Sequence, residues 1–130
     1  MERFEMECDR LSHVVDDIQF ERLRWARTEG PMLARLVELA HGALEARADY
    51  ELIDEGSTSA VKRFVVKIHT NRIIAIVMGL DSGRAIIGAE AIERSKYRLS
   101  DDSPVFTEFA GVNEAWMASA LQQLFSRVHQ

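Results

Sequence analysis

Cysteine is nearly missing from this sequence, and long apolar runs are missing altogether. Cys8 is the single cysteine, so one chain can form neither an internal disulfide nor a cysteine-based metal cluster. No apolar stretch reaches the roughly 18 residues of a membrane span. The acidic start MERFEMECDR also differs from the basic and then apolar order of a signal peptide. These absences predict a cytoplasmic protein with no membrane partner.

The glycine motifs that bind phosphate are also missing. The chain contains neither Gly-x-Gly-x-x-Gly nor a Walker motif, which argues against the common nucleotide-dependent enzymes. Ser59 and Lys62 match the Ser-x-x-Lys spacing of some serine enzymes, but the companion motifs of those enzymes do not occur. We therefore expect no catalytic group of these kinds.

Two histidine-carboxylate pairs stand at helical spacing, His13 with Asp17 and Glu38 with His41. Such a pair can ligate a metal, but a carboxylate-bridged centre needs two Glu-x-x-His motifs and further glutamates on four helices. This chain has one such motif. The sequence therefore predicts no metal and no cofactor.

The net charge of −5 is unevenly distributed along the chain. Residues 1–60 carry a net −7, residues 61–100 a net +5 and residues 101–130 a net −3. A basic middle in an acidic chain is neutralised within the fold or faces a partner. The overall acidity argues against a nucleic-acid partner.

The length of 130 residues and the 47% apolar composition are typical of one globular domain, here residues 1–130. Residues 2–27 show a four-three apolar spacing that predicts one helix packed on a neighbour, in the same chain or in a second copy. The positions of this seam are Phe4, Cys8, Leu11, Val15, Ile18, Arg22 and Trp25. Gly30-Pro31 then predicts the start of a second helix, because the residue before a proline is pushed out of the α region.

Strand patterns begin at Tyr50. Residues 50–54 and the alternating residues 61–69 predict two strands, and the apolar residues 73–80 predict a central strand covered on both faces. Thr70-Asn71 and Asp81-Ser82-Gly83 are the expected turns.

The strand that opens at Ala85 completes an antiparallel meander. We favour its extension through residues 90–99, although these could also form a helix, and we expect a further strand over residues 105–109. Asn113 is the expected N-cap of a last helix. The predicted fold is α+β, with an antiparallel meander of about three to five strands between two N-terminal helices and one C-terminal helix.

Four basic side chains surround the first predicted hairpin, namely Arg63, Lys67, His69 and Arg72. Together they could bind an anion or an acidic surface, and they are the candidate ligand-binding residues. The alternative is a solvated face of an edge strand, which is often basic.

Two functions fit these observations. The leading prediction is a non-enzymatic protein-interaction module, such as an adaptor, a small chaperone or a regulatory subunit, which forms a homodimer or binds another protein through the apolar stripes of its terminal helices. The alternative is a protein or enzyme that binds a small anionic ligand in a pocket between the sheet and the helices.

Overall fold

Two units make up the chain, Met1–Pro31 and Met32–Gln130, and the computed structural model describes residues 2–130. The N-terminal unit is helical and contains α1 (Glu2–Val15), α2 (Asp17–Arg24) and a π-helical turn (Trp25–Glu29). The prediction of one domain over residues 1–130 stays a prediction.

Asp16 divides the first predicted helix in two, so the expectation of one helix over residues 2–27 is wrong. The backbone of Asp16 is extended, with φ −155° and ψ 98°, and its carboxylate accepts a hydrogen bond from the backbone N–H of Gln19 at 3.1 Å. This is the N-cap of α2, since the carboxylate satisfies a donor that the new helix leaves free. The apolar spacing continues on both sides of the cap, and it therefore gave no sign of the break.

The two helices fold back on each other as a hairpin. Asp9 and Arg27 would lie about 27 Å apart along one straight helix. Their carboxylate and guanidinium groups instead lie 3.9 Å apart, and the ring of His13 meets the ring of Phe20 edge-on at 5.1 Å. We call residues 2–29 the N-terminal hairpin.

Helix α3 (Gly30–Leu44) follows the π-helical turn without a break in the helical backbone, since Gly30 itself is helical, with φ −56° and ψ −50°. The new helix start predicted at Gly30-Pro31 is therefore wrong. Glycine lacks the Cβ that a following proline ring would strike, which is why it stays in the α region. The N–H of Gly30 donates to the carbonyl of Trp25, five residues back, and this bond closes the π-helical turn.

Seven strands and one more helix follow α3. They are β1 (Tyr50–Asp54), β2 (Lys62–Ile68), β3 (Asn71–Asp81), β4 (Arg84–Glu90), β5 (Arg98–Leu99), β6 (Val105–Glu108), α4 (Glu114–Ser126) and β7 (Val128–His129). Five of the strands form an antiparallel sheet in the order β1-β2-β3-β4-β6, and β5 pairs with β7. The predicted fold class is confirmed: an α+β protein with an antiparallel sheet, N-terminal helices and one C-terminal helix.

Helices α3 and α4 cover the same face of the sheet. Phe64 of β2 meets His41 of α3 at 5.2 Å, and Tyr50 of β1 lies 6.0 Å from Phe125 of α4. Ile68 is four residues after Phe64 in β2, so these two side chains lie on the same face of the sheet. Tyr50 pairs with Ile68 in the strand register, and both contacts are therefore on that face. The largest side chains buried on this helix-covered face are Leu33, Leu36, Ile74, Ile76, Met78, Ile87, Met117 and Leu124.

The predicted turn at Asp81-Ser82-Gly83 is confirmed, because Ser82 and Gly83 have φ of 49° and 81° between the paired strands β3 and β4. The turn before β3 lies one residue earlier than predicted. His69 and Thr70 occupy it, with φ of 49° and 66°, and Asn71 already belongs to β3. The amide of Asn71 donates to the carbonyl of Ile68 at 3.3 Å and so braces the turn from the strand.

The strand extension favoured for residues 90–99 is wrong. Strand β4 ends at Glu90, and the chain then forms a connector to the short β5. Ser95 explains the departure, because its hydroxyl donates to the carbonyl of Ile73 at 2.7 Å and accepts from the N–H of Tyr97 at 3.1 Å. The side chain thus fastens the connector beside the start of β3.

Replacing Asn113 by alanine should lower the free energy of unfolding by about 1 kcal/mol. The side-chain oxygen of Asn113 accepts the N–H of Trp116 at 2.8 Å, and alanine leaves that donor without a partner. Urea unfolding followed by circular dichroism measures the change. Gln122→Ala, an exposed position in the same helix, is the control, and an equal loss in both variants would contradict the capping role.

Candidate functional site

The sheet has a second face, opposite α3 and α4, on which three of the four predicted ligand-binding residues lie. Alternation along β2 puts Arg63 and Lys67 on this face. Arg72 of β3 pairs with Lys67 in the strand register and therefore joins them. The sheet thus brings these three cations onto one face, and their role in binding an anion stays a prediction.

Both arginines of this basic cluster are already held by carboxylates of the chain. The guanidinium of Arg63 donates to Glu90 at 2.6 Å and to the backbone carbonyl of Glu55 at 3.0 Å. Arg72 makes a two-point contact with the Glu55 carboxylate, at 2.5 and 3.2 Å. Glu55 therefore occupies a position that an external anion would need.

The electrostatics of Glu55 reflect this arrangement. The hydrogen bonds from Arg72 hold the pKa of the Glu55 carboxyl below its ordinary value, and the charges of Arg72, Arg63 and Lys67 act in the same direction. The same contact raises the pKa of Arg72. The basic middle of the sequence is thus partly neutralised by acidic residues from the connector after β1 and the end of β4.

His69, the fourth predicted residue, lies in the turn between β2 and β3 and lines a different site. This site is a cavity of about 310 Å³ at the end of the sheet, next to the C-terminal end of α4, and we call it the end cavity. Its lining is Tyr50, Val66, Ile68, His69, Asn71, Ile73, Ile74, Tyr97, Phe125 and Val128. Sequence reasoning missed its three aromatic residues, because they come from β1, the connector before β5 and α4, and no local pattern links them.

Another cavity, of about 350 Å³, lies on the second face, and Gly79 of β3 and Gly88 of β4 are among the residues that line it. A Cβ added at Gly79 would meet Val61 at 3.9 Å, and one added at Gly88 would meet Pro104 at the same distance. Both glycines therefore face connecting segments of the chain. Glycine at these two positions lets the connecting segments approach the sheet closely.

The third candidate is the surface of the N-terminal hairpin. Its α1, α2 and π-helical turn contain no buried residue in the part that the structure describes. Seven large apolar side chains of the hairpin are 52% to 82% exposed: Phe4, Met6, Leu11, Val14, Val15, Ile18 and Leu23. The predicted seam found four of them, while Met6, Val14 and Leu23 lie outside its spacing.

The break at Asp16 also brings His13, Asp17 and Glu21 together, with one ligand atom of each within 4.8 Å of the others. The imidazole Nε2 of His13 lies 2.6 Å from a carboxylate oxygen of Asp17. All three side chains are exposed to solvent.

No family model, curated protein or solved structure matches this chain. Among the residues that the structure describes, no helix has both the length and the apolar composition needed to cross a membrane.

Replacing Glu55 by glutamine should make stability less dependent on pH in the acidic range. The pKa of Glu55 is lower in the folded protein than its ordinary value of 4.5, so its ion pair stabilises the fold above that pH. The contribution is lost as the pH falls through the lowered pKa. Wild type should therefore be the more stable protein at pH 6, with a small difference that shrinks towards zero below the folded pKa.

Thermal unfolding at a series of pH values checks this expectation. Glu93→Gln, which removes an exposed carboxylate from the connector after β4, is the control. A difference between wild type and Glu55→Gln that stays constant down to the lowest pH would contradict the ion-pair account.

Proposed function

We propose that this chain is a non-enzymatic protein-interaction module that forms a homodimer through its N-terminal hairpin. One observation carries the proposal: the hairpin exposes seven large apolar side chains and buries no described residue of its own. A helical pair of this length has little stability in water unless a partner covers its apolar surface. Association would provide that cover.

The apolar surface is large enough to support association. Burying a half-exposed valine, leucine, isoleucine, methionine or phenylalanine contributes about 1 kcal/mol or more, so the set can contribute on the order of 10 kcal/mol. Association costs about 4–15 kcal/mol in lost freedom of motion. The two quantities are comparable, which favours a reversible dimer over a permanent one.

The shape of the hairpin favours a second copy of the chain as the partner that covers its apolar surface. Both arms carry exposed apolar side chains, among them Phe4 and Leu11 on α1 and Ile18 and Leu23 on α2. Two antiparallel helices with such surfaces are half of a four-helix bundle, and a two-fold axis completes the bundle with identical surfaces.

The charged side chains at the ends of the hairpin helices also favour a homodimer. Glu2 and Glu5 lie in the first turn of α1, and Arg22 lies in the last turn of α2. None of these three side chains forms an ion pair within the part of the chain that the structure describes. In a two-fold dimer the acidic end of one α1 can face the basic end of the other α2, and the symmetry makes that contact twice.

A dimer of this kind has the character of an adaptor, a small chaperone or a regulatory subunit. The hairpins join the two copies, and each copy carries its own C-terminal unit, Met32–Gln130. Such a module acts by holding binding surfaces together, which raises the effective concentration of whatever they bind.

Sedimentation velocity across a concentration series tests the proposal. We expect the 14.8 kDa chain to sediment increasingly as a species of twice that mass as the concentration rises. Leu11→Asp and Ile18→Asp should each weaken the dimer at least about tenfold, because each removes apolar burial and adds a charge that the interface would have to desolvate.

Phe106→Asp is the matched control. Phe106 of β6 is 54% exposed, close to the 52% of Leu11, but it lies in the C-terminal unit. The control should dimerise like wild type. A strictly monomeric wild type at all concentrations, or equal weakening by Phe106→Asp and Leu11→Asp, would refute the proposal.

A further inference from the structure

The end cavity has the form of a small-molecule site, and we propose that it binds a small aromatic carboxylate of one or two rings. Its volume of about 310 Å³ lies at the lower end of the range for ligand pockets. The proposal concerns the C-terminal unit alone and does not depend on dimer formation.

The inner part of the cavity is apolar and well packed. Val66, Ile73 and Ile74 line it and are at most 5% exposed. The half-buried rings of Tyr50, Tyr97 and Phe125 complete the wall, and two of them, Tyr50 and Phe125, lie 6.0 Å apart at a tilt of 38°. An aromatic ring fits such a lining, because rings favour offset or edge-on contacts with other rings over direct face-to-face stacking.

The polar side chains that line the cavity are His69, Asn71, Tyr50 and Tyr97. The amide of Asn71 already donates to the backbone carbonyls of Ile68 and His69, at 3.3 and 3.2 Å. The imidazole of His69 and the two tyrosine hydroxyls bond to no other side chain in the part of the chain that the structure describes, so each can donate to a ligand. A carboxylate accepts charge-assisted hydrogen bonds from such groups, and these are roughly twice as strong as the bonds that a neutral amide accepts.

The backbone at the cavity provides a second, independent observation. His69 and Thr70 both have left-handed backbones, with φ of 49° and 66°. A β-branched residue such as threonine is rarely found there, and asparagine or glycine would adopt the same turn with less strain. Strain of this kind is concentrated at functional sites, and here it fixes the histidine that lines the cavity.

Methyl-resolved NMR titration of the whole chain tests the proposal with a matched pair of probes, indole-3-acetate and indole-3-acetamide. The probes have the same shape and differ in charge. We expect saturable shifts of the methyl groups of Val66, Ile74 and Val128 with both probes. The carboxylate should bind about tenfold more tightly, which is the usual advantage of a charge-assisted hydrogen bond.

Two variants assign the effect to the cavity. His69→Gln should reduce the preference for the carboxylate to less than about twofold and leave the apolar contacts in place. Val128→Phe should abolish binding of both probes, because the larger side chain fills the cavity. His41→Gln is the control, since this histidine also packs on an aromatic ring, Phe64, but does not line the cavity.

The proposal fails if neither probe shifts these methyl groups at millimolar concentration, or if the shifts fall on the N-terminal hairpin. Equal affinity of the two probes for wild type would overturn the assignment to carboxylates. The methyl shifts of wild type decide the matter even if Val128→Phe does not fold.

Discussion

The central strand β3 must be buried on both of its sides, and the rest of the C-terminal unit follows from this constraint. Ile74, Ile76 and Met78 point to one side and are fully buried there, while Ala75 is fully buried on the other. Helices α3 and α4 cover the first side. On the second side no helix of this unit is available, so the connecting segments of the chain provide the cover.

Because helices cover one face of the sheet and connecting segments the other, the C-terminal unit has two sites, the basic cluster around Glu55 and the end cavity. The connector that follows β1 brings Glu55 to the second face, where the carboxylate meets Arg72 and the backbone carbonyl meets Arg63. The connector that follows β4 is fastened to Ile73 by Ser95, and this places Tyr97 at the edge of the helical layer. A cavity remains where the connector, the sheet and the end of α4 meet without filling the space.

The sequence predicted those features that depend on neighbours along the chain. The β-branched run of β3, the Ser82-Gly83 turn and the Asn113 cap all have local causes, and all three are confirmed. The break at Asp16 also has a local cause, but the regular apolar spacing across it concealed the cap.

The sites depended on residues far apart in the sequence. Arg63 and Arg72 were identified by their charge, but their partners Glu90 and Glu55 become neighbours only when the sheet forms. The walls of the end cavity come from a strand, a connector and a helix, and no short-range pattern joins them. Hydrophobic periodicity indicates which face of a helix or strand is buried. It carries no information about where the helices and the connecting segments that pack on the sheet leave a gap between them.

The order of the strands leaves β1 and β6 at the two edges of the sheet. β1 carries the carboxylates of Glu51 and Asp54, and β6 is four residues long and ends in Glu108. A neighbouring molecule that added a strand to either edge would have to place its own backbone beside these negative charges, and short, charged edges are how soluble sheets resist such growth. Both edges of the sheet therefore carry features that disfavour the addition of a further strand.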